Sequence, residues 1–108
     1  MGMLTSASRM YNLKSQITDL EFEREQLVQA KSDLASQQSM LVNVGNDVTS
    51  KTVQKQLNAR RERLHLLEKA LDQKLYSTNN QLELLRRECQ LCEGNYNRSV
   101  GETFSNMR

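Results

Sequence analysis

Leucine recurs at every seventh position through the first half of this sequence. Leu13, Leu20, Leu27, Leu34 and Leu41 share that spacing. Because seven residues make almost two turns of α-helix, these leucines lie along one stripe. A second seam position precedes each leucine by three residues and changes from apolar to polar along the chain. Its residues are Met10, Ile17, Arg24, Lys31 and Gln38. The pattern predicts a helix over residues 8–44.

Apolar residues also recur at steps of three and four through the second half. They are Val53, Leu57, Leu64, Leu67, Leu71, Leu75, Leu82, Leu85, Cys89, Cys92 and Tyr96. Two steps of four follow one another from Leu67 to Leu75, and we interpret this as a stutter that locally unwinds a left-handed supercoil. The pattern predicts a second helix over residues 50–93, which Gly94 ends.

The segment between the two patterns contains the one glycine in the middle of a chain that has no proline. Gly45 can adopt the left-handed conformation that closes a helix, and Asn46 tolerates the same conformation. A turn over residues 45–49 is therefore predicted, with its centre at Gly45 and Asn46. The residues that could cap the second helix are Asp47, Thr49 and Ser50. The alternative is one unbroken helix, because a single glycine costs only about 1 kcal/mol.

Folding the chain back at Gly45 brings leucines of the two halves opposite each other. The predicted pairs are Leu20 with Leu71, Leu27 with Leu64, and Leu34 with Leu57. One layer of this register opposes Lys31 and Arg60, a like-charge pair whose heads can extend into water.

The predicted fold class is all-α: an antiparallel two-helix coiled-coil hairpin over residues 8–93 that assembles into a multi-helix bundle or filament. Residues 1–7 form an N-terminal tail, and residues 94–108 form a C-terminal tail that becomes helical on assembly. The predicted interhelix seam consists of Met10, Leu13, Ile17, Leu20, Leu27, Leu34, Leu41, Val53, Leu57, Leu64, Leu67, Leu71, Leu75, Leu82, Leu85 and Cys89.

Other apolar residues lie off this seam, and we expect them to contact neighbouring copies. They are Tyr11, Phe22, Val28, Leu66, Tyr76, Leu84, Leu91 and Phe104. A two-helix hairpin buries only one stripe per helix, so such thin structures usually pack against further helices. A homo-oligomer is therefore expected, or a complex with another helical protein.

The amino-acid composition limits which classes of function are expected. The 108 residues are 37% hydrophobic and lack tryptophan, which suits solvated helices better than a deep core. The net charge of +2 creates no strong field for nucleic acid or a membrane surface. No apolar run reaches the length of a membrane span, and the start lacks a secretory pattern. A cytoplasmic location or export without a cleavable signal peptide is expected.

Cys89 and Cys92 form the single C-x-x-C motif. A zinc site needs four ligands, and His65 lies several turns away. Two such motifs in a dimer would complete a four-cysteine site, but both cysteines fall on seam positions where cysteine acts as a small hydrophobe. Seam packing is the favoured interpretation, with no metal and no cofactor.

The segment NARRERLH places a basic cluster before several leucines, as in basic-zipper DNA-binding proteins. Glu62 interrupts the cluster, which is short, so a solvated helix face is the favoured interpretation. With one histidine and no glycine-rich phosphate loop, the sequence offers no catalytic constellation, and an enzyme is not expected.

The segment SRMYNLKSQITDLEFEREQLVQAKSDLA resembles the starts of a group of short, uncharacterised bacterial helical proteins. An all-helical hairpin without catalytic residues also resembles two components of type III and flagellar export machines, the polymerising needle subunit and the stalk-like hairpin at the export ATPase. Needle subunits commonly carry proline in their turn, which VNVGND lacks.

These observations predict a non-enzymatic structural protein that self-associates through helical faces, as a filament or secretion and surface-assembly subunit. The alternative is a cytoplasmic coiled-coil adaptor or export accessory that binds a partner helix. A DNA-binding zipper ranks third.

Overall fold

A computed structural model describes residues 2–46 and 50–106 of the chain. It contains helix α1, Met3–Asn46, and helix α2, Lys51–Asn106. The first turn of α1 is closed by a hydrogen bond from the Ser6 amide to the Gly2 carbonyl. The Ser50 carbonyl accepts the corresponding bond from the Gln54 amide, which places Ser50 at the N-cap position of α2. The predicted caps Asp47 and Thr49 lie outside the described residues.

The predicted all-α hairpin is confirmed, since α1 and α2 pair in antiparallel fashion. The pairing divides into two compact units. Unit 1 comprises Met1–Glu23 and Thr78–Arg108, and unit 2 comprises Arg24–Ser77. Each unit thus takes one segment from each helix.

Unit 1 holds a buried cluster of Leu13, Cys89 and Cys92, against which Met10, Ile17 and Leu85 pack. Leu82 is the most completely enclosed large side chain of the described residues, at 1% exposure. Antiparallel contacts join its two segments, because Arg9 pairs with Glu88 and Glu21 pairs with Arg86 further along α1.

Unit 2 holds a buried cluster of Leu34, Leu41 and Leu64, against which Leu57 and Leu71 pack. The chain reversal between Asn46 and Lys51 belongs to this unit. Its core is therefore made of leucines, whereas thiols supply much of the core of unit 1.

The reversal does not use Gly45 and Asn46 as predicted. Both residues belong to α1, and no residue of the described part of the chain has a positive φ. Residues 47–49 of the predicted turn lie outside the described residues. Gly45 serves a different purpose: a Cβ at this position would collide with the guanidinium of Arg61.

The register also differs from the prediction. The predicted layer opposed Lys31 to Arg60, but Lys31 pairs with Asp72, about three helical turns further along α2. In unit 1, Leu20 lines a groove together with Gln81 and Leu85, whereas the prediction placed it opposite Leu71. A heptad stripe presents leucines at regular intervals, so a shift of this size still buries leucine on leucine. The polar pairs distinguish the two registers.

The predicted stutter is absent because Leu67 does not belong to the seam. Leu67 is 54% exposed, and the partly buried Glu68 occupies the seam position. Buried Thr78 then fills the position between Leu75 and Leu82, so the steps of three and four continue without interruption. Val53, also predicted in the seam, is 39% exposed.

Helix α2 runs through Gly94 and Gly101 to Asn106, past its predicted end at Glu93. Each helical glycine costs about 1 kcal/mol relative to alanine. Tyr96 and Val100 are half-buried in this part of the helix, and the apolar surface that they remove from water opposes that cost. Helix α1 likewise begins at Met3, so the predicted N-terminal tail is largely helical.

Candidate functional site

The residues predicted as oligomer contacts lie on the surface of the two units. Tyr11, Leu91 and Tyr76 are more than 70% exposed, and the other five are more than half exposed. Leu4, Met40, Val42, Val44 and Leu67 add further exposed apolar side chains to the described surface. These residues stand on helices whose other face is buried, so their positions are fixed by the hairpin.

Unit 1 carries a groove of about 500 Å³ between its two helical segments. Its lining comprises Gln16, Asp19, Leu20, Gln81, Leu84, Leu85 and Glu88. Leu84, which lines the groove, and Leu91 lie seven residues apart on one exposed stripe of α2. The groove therefore has an apolar floor and a polar rim.

The rim of this groove is acidic. Its lining contains the carboxylates of Asp19 and Glu88; Glu88 lies 4.0 Å from Arg9, which partly neutralises it, whereas Asp19 forms no ion pair in the described part of the chain. The nearby cation Arg86 pairs with Glu21 at 3.1 Å, away from the groove lining. Negative charge on the rim thus remains open to a cationic partner.

Unit 2 carries a basic stripe on the exposed face of α2. We define it as Arg60, Arg63, Leu67 and Lys74, which are spaced so that they share one helix face. All four side chains are exposed, and within residues 2–46 and 50–106 none of the three cations forms an ion pair. Leu66 is exposed beside this stripe.

Polar pairs cross the seam of unit 2. The Lys31 ammonium lies 2.5 Å from Asp72, and Gln38 donates a hydrogen bond to Glu68 at 3.0 Å. The hydrogen bond to the Asp72 carboxylate and its charge raise the pKa of Lys31 above 10.5, while desolvation opposes the rise. These pairs hold the register because a shifted helix would leave them without partners.

Arg61 lies across α1 at Gly45 and donates a hydrogen bond to the Leu41 carbonyl at 3.2 Å. The last turn of α1 has no basic residue of its own. Arg61 brings a positive charge to the negative end of that helix, where it is electrostatically favourable. Gly45 thus provides space for a cation from α2.

The thiols of Cys89 and Cys92 are free and buried in the core of unit 1. The Cys92 thiol donates a hydrogen bond to the Ser6 carbonyl at 3.2 Å, and the buried Ser6 hydroxyl has no hydrogen-bond partner among the described residues. In the described ranges no three His, Cys, Asp or Glu side chains lie close enough to share a metal ion. Both cysteines face the partner helix, so a four-cysteine site between two copies would require them to leave the core.

Among the polar residues that the sequence analysis did not place in the seam, Ser6 and Thr78 are buried and Glu68 is partly buried. Ser6 lies four residues before Met10, and Thr78 lies between Leu75 and Leu82 on the same stripe. Glu68 was passed over in favour of the adjacent leucine. The uninterrupted alternation of three and four was the available signal in each case.

Across residues 2–46 and 50–106, neither helix has a stretch apolar enough for a membrane span. No protein-family model, curated protein or solved structure matches this chain.

Proposed function

We propose that this chain is a non-enzymatic structural protein that self-associates through coiled-coil faces into a bundle or filament. The supporting observation is the balance of its apolar side chains. Among the described residues, fourteen large hydrophobic side chains are exposed, whereas eight hydrophobic side chains are buried. A neighbouring copy would cover surface that the hairpin leaves in water.

The energetic argument follows from the narrow core. Burying one large apolar side chain contributes about 1.5–3 kcal/mol. Each unit contains two helical segments and so offers only one buried stripe per helix. Covering residues such as Tyr11 and Leu91 between copies would add several such contributions to the stability of each unit.

A secretion or surface-assembly role is the most specific form of this proposal. It is supported by the resemblance of the hairpin to polymerising and stalk-like components of export machines. We expect no cofactor and no catalytic activity in this role.

The alternative is an adaptor or export accessory that binds a helix of another protein. The groove of unit 1 supports it, because Leu20, Leu84 and Leu85 in its lining give an amphipathic helix an apolar surface to contact. This alternative predicts a small species of constant size and a defined complex with the partner in pull-downs. A DNA-binding zipper predicts salt-dependent retention on duplex DNA.

Sedimentation velocity over a wide concentration range tests the proposal, with negative-stain microscopy of the same samples. We expect a mass that grows with concentration, and filaments or bundles on the grids. A monodisperse monomer at every concentration contradicts the proposal.

A surface variant tests which exposed residues mediate self-association. Tyr11→Ser with Leu91→Ser should reduce association while leaving helix content unchanged, because both side chains are exposed in the single chain. The matched control is Asn12→Ser with Gln90→Ser, which changes exposed polar neighbours and should associate like the unmodified chain.

A further inference from the structure

We propose that copies of this chain join by docking the basic stripe of unit 2 into the acidic groove of unit 1 of the next copy. This inference rests on the proposed self-association and names the two surfaces that carry it. The occupant of the groove is therefore a second copy, through the α2 segment that contains Arg63, Leu67 and Lys74.

Charge distribution is the first argument. Residues 24–77 carry nine basic and six acidic side chains, a net charge of +3. The residues of unit 1 carry six basic and seven acidic side chains, a net charge of −1. The two units therefore differ in the sign of their net charge, and because −1 is a small charge that salt screens, the local placement of unpaired charges determines which surfaces meet.

The second argument is the local match of groove and stripe. The groove lining offers the carboxylates of Asp19, which has no ion-pair partner among the described residues, and Glu88, which has only Arg9 at 4.0 Å. On the stripe, the cations of Arg63 and Lys74 form no ion pair among the described residues. Charges that meet across an interface determine which surfaces pair and in which orientation.

The third argument is the exposed Leu67 between the cations of the stripe. It is 54% exposed although the helix has seam positions available for leucine. The groove offers Leu20, Leu84 and Leu85 as an apolar floor for such a side chain. Burying Leu67 there would remove exposed apolar surface from both copies.

The contact joins two different surfaces, so it is heterologous. Each copy retains a free groove and a free stripe after one contact, and repetition produces a filament or a closed ring. This geometry links the charge pattern of the chain to a polymerising role.

A charge-swap experiment on the full chain tests the inference by sedimentation velocity. The groove variant is Asp19→Lys with Glu88→Lys, and the stripe variant is Arg63→Glu with Lys74→Glu. Alone, each variant opposes like charges, and we expect self-association to weaken about tenfold or more. Mixed in equal amounts, the two variants restore opposite charges at every contact, and association should return.

Matched controls carry the same charge changes elsewhere. Lys55→Glu with Lys69→Glu controls the stripe variant, and Glu25→Lys with Glu93→Lys controls the groove variant; all four native side chains are exposed. Each control should associate within about threefold of the unmodified chain once screening by salt is matched. Circular dichroism verifies that every variant is helical, and recovery in the mixture excludes misfolding as the cause of the loss.

The outcomes separate the inference from the proposed function. If both variants associate like the unmodified chain, the inference is overturned and self-association stands. If the unmodified chain does not associate, the proposed function fails first. Retention on duplex DNA that the stripe variant abolishes, with self-association intact, would assign the stripe to nucleic acid and also overturn the inference.

Discussion

The buried cluster of unit 1 contains one leucine and two thiols, whereas that of unit 2 contains three leucines. Polar pairs join the helices in both units: Arg9–Glu88 and Glu21–Arg86 in unit 1, and Lys31–Asp72 and Gln38–Glu68 in unit 2. The buried Ser6 hydroxyl of unit 1 has no hydrogen-bond partner among the described residues. The two units therefore differ in the size of their buried apolar side chains and in this hydroxyl, whereas polar pairs between the helices are common to both.

One leucine stripe therefore supports two kinds of contact between helices, apolar packing and specific polar pairs. Leucine burial is insensitive to a shift of whole turns, but a hydrogen bond or ion pair requires one specific partner. Register is therefore determined where polar residues interrupt the stripe.

The largest expected effect is the loss of a buried leucine from either unit. Leu82→Ala in unit 1 and Leu64→Ala in unit 2 should each lower the free energy of unfolding by about 2–5 kcal/mol, because both side chains are almost fully enclosed. Urea denaturation followed by circular dichroism measures the change. Leu4→Ala in unit 1 and Met40→Ala in unit 2 are the controls, and each should change stability by about 0.5 kcal/mol or less because both side chains are exposed. Losses of equal size in the controls would contradict the prediction.

Ser6→Ala should raise the stability of unit 1, because it removes a buried hydroxyl that has no hydrogen-bond partner in the described part of the chain. The expected gain is about 1 kcal/mol beyond that of Ser8→Ala, an exposed control with the same change in helix propensity. The hydrogen bond from Cys92 is retained, since it goes to the Ser6 carbonyl. Equal gains in the two variants would show that the hydroxyl finds a partner in solution.

The effect of Gly45→Ala on the free energy of unfolding should depend on whether Arg61 is present. Alanine adds about 1 kcal/mol of helix propensity, but its Cβ displaces the guanidinium and so breaks the hydrogen bond to Leu41. We expect almost no net gain with Arg61 present and the full gain in an Arg61→Ala background. A double-mutant cycle in urea should give a coupling of about 0.5–1.5 kcal/mol. Identical gains in both backgrounds would mean that Arg61 does not lie over Gly45.

The smallest expected effect concerns pH and Lys31. Its pKa in the folded chain is raised above 10.5, mainly by the hydrogen bond to Asp72. The stability that this pair contributes is therefore present below pH 10.5 and is lost as the pH rises through the raised pKa. Because Lys31 is about half exposed, the contribution is small. Unfolding measured on both sides of this window should show an alkaline loss that Lys31→Met reduces; a parallel loss in both proteins would contradict it.

The sequence predicted the secondary structure well because helix formation depends on local spacing. The leucines at steps of seven gave α1, and the steps of three and four gave most of α2. The prediction at Leu67 was wrong because two adjacent residues compete for one seam position, and hydrophobicity alone favours leucine over Glu68. The structure favours Glu68 because Gln38 satisfies its carboxylate.

The sequence itself determined that two helices form and fold back on each other. The apolar stripes and the segment of low helix propensity between them are local properties of the chain. The register, the role of Gly45 and the surfaces left open were decided only by the tertiary structure. A repeating leucine stripe is compatible with several alignments of similar apolar burial. Partners such as Asp72 for Lys31, and Arg61 for the end of α1, become apparent only when the two helices are placed side by side.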